Sequence, residues 1–246
     1  MDHLIYTAMN GAKQTMLKQA TNSHNLANLS TTGFRADLDA FKSLPVYGPG
    51  HPTRVYNQDL RAGTNLSSGE IITTGKELDV AIRDQGFIVV QDKDGAESMT
   101  RRGDLHISSA GLLETGDGDP VMGNSGPIAI PPHEKLEIAG DGTISIRPLG
   151  QSAAALAVVD RIKLVDPQLA ELEKTESGLL RLTSGDELPP DTTVQLLNGS
   201  LESSNVNSME AMVNMIELAR EFELHVKLMK EAKDNDAAAA SIVRMS

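Results

Sequence analysis

Six histidines, His3, His24, His51, His106, His133 and His225, are the side chains best suited to proton transfer or metal binding near neutral pH. No two lie four residues apart and H-E-x-x-H does not occur, so the helical zinc-hydrolase arrangement is absent. Asp92-Lys93-Asp94-Gly95 opens like a calcium loop, but it lacks the third acidic ligand and its glycine comes too early, so it reads as a turn. Asp117-Gly118-Asp119-Pro120 reads as a turn carrying carboxylates. G-x-S-x-G, the P-loop and G-x-G-x-x-G do not occur either. With 34 acidic residues in 246, carboxylate pairs arise by chance, and no glycosidase pair stands out. The absence of cysteine removes thiol nucleophiles, thiolate metal sites and disulfides together. The residues therefore point to no catalytic, cofactor-binding or metal-binding set.

The distinctive polar residues are of another kind. Asn25 and Asn28, three apart, share one helix face just before Thr31-Thr32-Gly33-Phe34-Arg35. An amide inside a helix is unfavourable unless something uses it. The pair is therefore read as bonding neighbouring backbone or a partner helix, with Gly33 as the left-handed residue that stops the helix.

The elements that carry these residues can be read from periodicity. Residues 2 to about 30 contain no proline and one glycine, and read as a helix with a seam through Ile5, Ala8, Ala12, Thr15, Gln19, Asn22, Leu26 and Leu29. Asn205 to Val243 reads as a second helix, its start capped by Asn205 or Ser208. Its seam runs through Met212, Met215, Ala219, Phe222, Val226 and Met229, and on to Val243.

Between the helices lie short β-like runs: Leu78–Arg83, Phe87–Gln91, Leu105–Ser108, Pro127–Ile130, Leu136–Ala139, Thr143–Arg147, Leu156–Val165, Leu179–Thr183 and Val194–Leu197. Turns are expected at Asp94-Gly95, Ala110-Gly111, Asp141-Gly142 and Ser184-Gly185. The fold class is therefore α+β, with long terminal helices pairing as a coiled-coil-like domain around a mainly antiparallel β-rich middle. The expected division is a terminal helical assembly domain of residues 1–35 and 205–246, an extended connecting segment 36–77 and a β-rich body 78–204.

Aromatic residues make up 3% of the chain, with no tryptophan, so a core must be built from Leu, Ile, Val, Met and Ala. The formal net charge is −12. Residues 36–204 hold 14 basic and 26 acidic side chains, which accounts for the whole excess, while the two ends are nearly neutral. So acidic a chain is a poor partner for nucleic-acid phosphates or an anionic membrane surface. No run approaches the ~18–20 apolar residues of a membrane span, and the N-terminal MDHLIYTAMNGAKQTM is not expected to be a cleaved signal peptide.

Asn25-x-x-Asn28 followed by Thr31-x-Gly33-Phe34-Arg35 resembles the N-terminal motif of bacterial flagellar axial proteins, the rod and hook subunits. Gly69 to Phe87, Met99 to Gly103, Gly111 to Leu113 and Leu201 to Ile216 resemble further motifs of that family in the same order, so the resemblance spans the chain. Asp84 stands where relatives often carry glycine, which bears on the turn before Phe87.

The resemblance implies a structural subunit of the basal-body rod, nearest the proximal rod, with no enzyme activity and no cofactor. It implies helical assembly into a torque-transmitting shaft across the periplasm, with copies of itself and other rod subunits as partners. It implies delivery by the flagellar type III export apparatus without signal cleavage, no nucleic-acid partner and no direct membrane insertion. The residues then expected at subunit interfaces are Asn25, Asn28, Thr32, Gly33, Phe34, Met212, Met215, Ala219, Phe222, Val226 and Met229. The alternatives are a distal rod or other hook–rod subunit, a cell-envelope enzyme, or a secreted coiled-coil adhesin. The enzyme would need a convergent catalytic set, and a simple adhesin stalk has no use for the Asn25–Arg35 motif.

Overall fold

The computed structural model describes residues 4–45, 55–150, 156–167, 172–175, 177–185 and 188–245. Along the chain come α1 (Leu4–Ala27), β1 (Asp37–Pro45), β2 (Val55–Thr64), β3 (Ile71–Thr73), β4 (Val80–Ile82), β5 (Phe87–Gln91), β6 (Glu97–Thr100), β7 (Leu105–Ile107) and β8 (Leu113–Thr115). They are followed by β9 (His133–Ile138), β10 (Thr143–Pro148), β11 (Ala157–Arg161), β12 (Leu164–Val165), β13 (Leu172–Lys174), β14 (Leu180–Leu182), β15 (Leu196–Asn198), β16 (Ser200–Glu202) and α2 (Ser208–Met245). The class is α+β, and every strand pairing among the described residues is antiparallel.

The chain forms two compact units: Met1–Leu29, Ala36–Asn65 and Val206–Ser246 make one, and Ser30–Arg35 with Leu66–Asn205 the other. In the first, α1 and α2 pack side by side and antiparallel. Asn22 near the end of α1 meets Ala211 near the start of α2, while Gly11 lies against His225 further along. The first unit also contains the connecting residues 37–64. They are not a bare extended segment: β1 and β2 pair from Asp37↔Thr64 to Pro45↔Val55, with a bulge at Leu38/Ala40. Hydrogen bonds tie this ribbon to α1 through Thr21 to Asp39 and Asn25 to Asp37.

The second unit is the β body. Its five-stranded sheet runs β12-β5-β6-β14-β13 and its three-stranded sheet β11-β10-β9, with two-stranded pairs β15-β4, β16-β3 and β7-β8. Strand β5 is buried on both faces. Ile88 and Val90 enter a large cluster with Leu113, Val121, Ile144 and Ile162, whereas Phe87 and Val89 enter a second cluster with Met99, Val165 and Leu180. The larger cluster is entirely Ile, Leu and Val. The turns at Asp94-Gly95, Ala110-Gly111 and Asp141-Gly142 join β5 to β6, β7 to β8 and β9 to β10. At the last, Gly142 takes φ +86° while Thr143 donates from its amide and its hydroxyl to the Asp141 carboxylate, an Asx-type turn. These bonds hold the Asp141 carboxyl below its usual range. Pro127–Ile130 forms isolated bridges rather than a strand. Asp84 fits its turn without a left-handed φ.

Candidate assembly surfaces and the buried charge cluster

The first candidate segment follows α1. Asn25 works on neighbouring backbone: its amide donates to the Asp37 carbonyl at 2.9 Å and its oxygen accepts the Asp37 N–H at 2.9 Å. Asn28 donates to the His24 carbonyl one turn earlier, at 3.0 Å. Helix α1 ends at Ala27, so Gly33 does not stop it. Gly33 does take φ +66°, and its missing Cβ leaves room for the Arg101 backbone. Thr32 donates to Asp104 at 3.0 Å, and Arg102 grips the same carboxylate at 2.7 and 3.0 Å. The Lys174 ammonium sits 4.4 Å from the Phe34 ring centre, a cation–π contact.

The second candidate segment is α2. It is capped by neither Asn205 nor Ser208. The Asn207 carboxamide oxygen accepts the N–H groups of Met209 and Glu210, at 3.1 and 3.4 Å, which is the N-cap geometry. Asn205 is instead held by Ser67 and Phe34.

The stripe of α2 that faces α1 runs Ala211, Met215, Leu218, Phe222, His225, Met229 and Ala232, all buried or half-buried. Of the expected seam, Met215, Phe222 and Met229 lie on it. Met212, Ala219 and Val226 do not, and they are exposed. Both sets keep three-and-four spacing about Met215, so periodicity alone does not choose between them. Close approach at Gly11, where a Cβ would run into the His225 ring, selects the stripe containing His225. On α1, Ala8, Ala12 and Thr15 are buried as the seam requires, and Ile5 is exposed. Asn22, a seam member, donates its amide to the Ala211 carbonyl at 2.8 Å.

The helical unit leaves large apolar side chains outside. On α2, Met209, Met212, Val213 and Ile216 are each more than half exposed, at spacings of three, four and seven. On α1, Tyr6, Met9 and Met16 are likewise more than half exposed. The reading of one seam per helix missed this second stripe, although its spacing was legible once the inner stripe was known.

Sequence reasoning also missed a cluster buried in the body. Glu202 is 1% exposed and takes Arg35 on one carboxylate oxygen at 2.7 Å and Arg101 on the other at 3.1 Å. Arg101 also donates to the Asp84 carbonyl at 2.8 Å and lies over the Phe87 ring. Burial pushes the Arg101 guanidinium below its ordinary value; Glu202 opposes that and Arg35 adds to it. Removing Glu202 should cost about 3–5 kcal/mol, because two buried guanidiniums would be left without their opposite charge. The available signal was that Arg35 and Glu202 each sit inside a motif already singled out.

The carboxylates suspected of metal binding are occupied otherwise. Asp92 accepts from Ser177 and Arg181, and Asp117 pairs with Arg102. Among the described residues, no group of three or more metal-ligating side chains converges. No helix of the described residues is long and apolar enough to cross a membrane. What the described residues present instead is an aliphatic-cored β body and helices that carry exposed apolar stripes.

Comparison with known proteins agrees along the whole length. Residues 5–35 match the family "Flagella basal body rod protein", 81–146 the "Flagellar hook protein FlgE/F/G D1 domain" and 197–242 the "Flagellar basal body rod FlgEFG protein C-terminal". The flagellar basal-body rod protein FlgF of Escherichia coli (strain K12) is 41% identical over 252 residues, covering 100% of both chains. That of Salmonella typhimurium is 40% identical over the same span and coverage. The rod protein FlgG of Bacillus subtilis (strain 168) is 29% identical over 248 residues, 92% of this chain and 93% of its own. The chain belongs to the flagellar basal-body rod protein family. It is FlgF-like, a structural subunit of the rod that assembles with other rod components of the basal body, and not an enzyme.

Proposed function

We propose that the chain is a proximal-rod subunit that polymerises helically, with copies of itself and other rod subunits, into a shaft carrying torque across the periplasm. In this reading the terminal helices, with the β1–β2 ribbon, form a coiled-coil-like assembly domain, and residues 66–205 with 30–35 form the body. The observation that carries it is the second apolar stripe of α2. Met209, Met212, Val213 and Ile216 lie outside the pairing with α1, so a neighbouring helix has a ready surface to cover. Covering each such side chain is worth roughly 1.5–3 kcal/mol when complete. Ala219 and Val226 extend the exposed surface, while Met215, Phe222 and Met229 support it from beneath. Asn25 and Asn28 set the course of the chain where α1 ends, and Thr32, Gly33 and Phe34 seat the next segment against the body; this stretch is proposed as a further assembly surface. We propose delivery by the flagellar type III apparatus with the N-terminus kept, because a cleavage that removed residues 5–35 would delete α1.

The test is a paired Met212→Asp, Ile216→Asp variant expressed in a strain lacking the native subunit. Both side chains are exposed, so the free subunit should keep its stability within about 0.5 kcal/mol. Purified basal bodies should lack the variant and swimming should be lost. Normal incorporation of the variant would overturn the assignment of this stripe to assembly.

A further inference from the structure

The buried charge cluster lies where the chain enters and leaves the body. The chain passes between its two units four times, at 29/30, 35/36, 65/66 and 205/206. Inside the body, the residues next to these crossings are bonded to one another around Glu202. The Gly33 N–H donates to the Glu202 carbonyl at 2.8 Å. Arg35 donates to the Glu202 carboxylate at 2.7 Å and to the Ser67 carbonyl at 2.7 Å. The Gly69 N–H donates to the same carboxylate at 2.8 Å. Asn205 closes the ring, its N–H on the Phe34 carbonyl at 3.3 Å and its side chain on the Ser67 carbonyl at 2.9 Å. Arg101 anchors the assembly to the core side through Glu202 and Asp84.

Local structure makes this convergence possible. Pairing of β16 with β3 sets Glu202 opposite Ile71. Gly33 and Gly69 have no Cβ where the Arg101 backbone and the Ser203 carbonyl pass. An apolar cluster would hold these segments by area, which is indifferent to sliding. A carboxylate gripped by two guanidiniums and an amide is directional, and it fixes each segment at a stated atom.

We propose that Glu202, with Arg35 and Arg101, is a buried fastening that gathers all four chain crossings at one point of the body. Load arriving along any crossing is then shared by the others instead of being carried by a single covalent tether. The fastening goes beyond the rod reading and does not depend on it, since it is a property of the free subunit.

Native-state hydrogen exchange on the full-length subunit tests it. Arg35→Met leaves Arg101 and Glu202 as a one-to-one pair, so the body keeps a satisfied core. In this variant the amides of Gly33, Gly69 and Ser203 should exchange at least about tenfold faster, while those of Val89, Leu113 and Ile162 change by less than about twofold. Glu202→Gln should act on the same junction amides more strongly. Unchanged junction amides in Arg35→Met would overturn the proposal. So would equal acceleration of junction and body amides, which would make the cluster an ordinary core support. If Glu202→Gln does not fold, the Arg35→Met comparison decides by itself.

Discussion

The β body and the helical unit bury different kinds of side chain. In the body, Val80, Ile88, Val90, Leu113, Val121 and Ile144 are wholly or almost wholly inaccessible, and they touch within continuous clusters. Among the described residues of the helical unit, the buried ones are Ala8, Ala12, Gln14, Thr15, Ala211 and Ala232. Small and polar side chains let two helices approach closely, but they withdraw little apolar area from water. The larger side chains, such as Met209, Val213 and Met9, remain outside. The body closes continuous aliphatic clusters, although Ile72, Leu149, Leu156 and Val158 stay exposed on it, whereas the helices pair through small and polar side chains and leave large apolar ones outside.

The sharpest way to break this contrast is to cut into the body. Ile144 is wholly buried between β9 and β11, and Ile144→Ala should cost about 2–5 kcal/mol, read as a lower urea midpoint. A cost below about 1 kcal/mol would mean that the core closes over the gap, and that the body is less tightly specified than its burial implies.

A smaller effect is expected in the helical unit. Phe222 is half-buried on the stripe facing α1. Phe222→Asp should weaken the helix pair by no more than roughly 1.5–3 kcal/mol, and by less in the free subunit, where the ring is already partly wet. The body's unfolding transition should stay in place while the variant fails to enter rods. A shift of that transition as large as Ile144→Ala produces would show that the two units unfold together.

The smallest effect is electrostatic. The Thr143 N–H and hydroxyl lower the Asp141 carboxyl below its ordinary value. Its contribution to stability is therefore present above the unfolded value, near 3.8, and is lost as the pH falls through the lower folded value. Asp141→Asn should be slightly less stable than the parent near neutral pH, with the gap closing under acid in urea titrations. The gap should also shrink in high salt, since the group is exposed. A gap that persists at about pH 2 would place the loss in the turn geometry rather than the charge.

Much of this molecule follows from local pattern. Strand β5 matches its expected span because a run of four apolar residues, Phe87 to Val90, is followed by Gln91 and turn residues, and β9 and β10 are joined at the expected Asp141-Gly142. The aliphatic core follows from composition, since a chain this poor in aromatics has few other large apolar side chains to bury. The helices follow from long stretches free of proline, and the motifs carried by Asn25–Arg35 and Leu201–Ile216 pointed to the rod family.

Tertiary structure decided what depends on partners distant in sequence. Two stripes of α2 satisfy the same three-and-four spacing, and only the fit of His225 against Gly11 selects between them. Asn207 caps α2, while Asn205 is bonded to Ser67 and Phe34, residues far away along the chain. The ribbon of β1 and β2 is fixed by bonds from Thr21 and Asn25 on α1, which its own hydropathy does not encode. Glu202 is the plainest case. By type it belongs at the surface, and it is buried because folding brings Arg35 and Arg101 to its two oxygens. A charge can leave water only where opposite charge and hydrogen bonds replace the solvent, and here those come from segments far away along the chain.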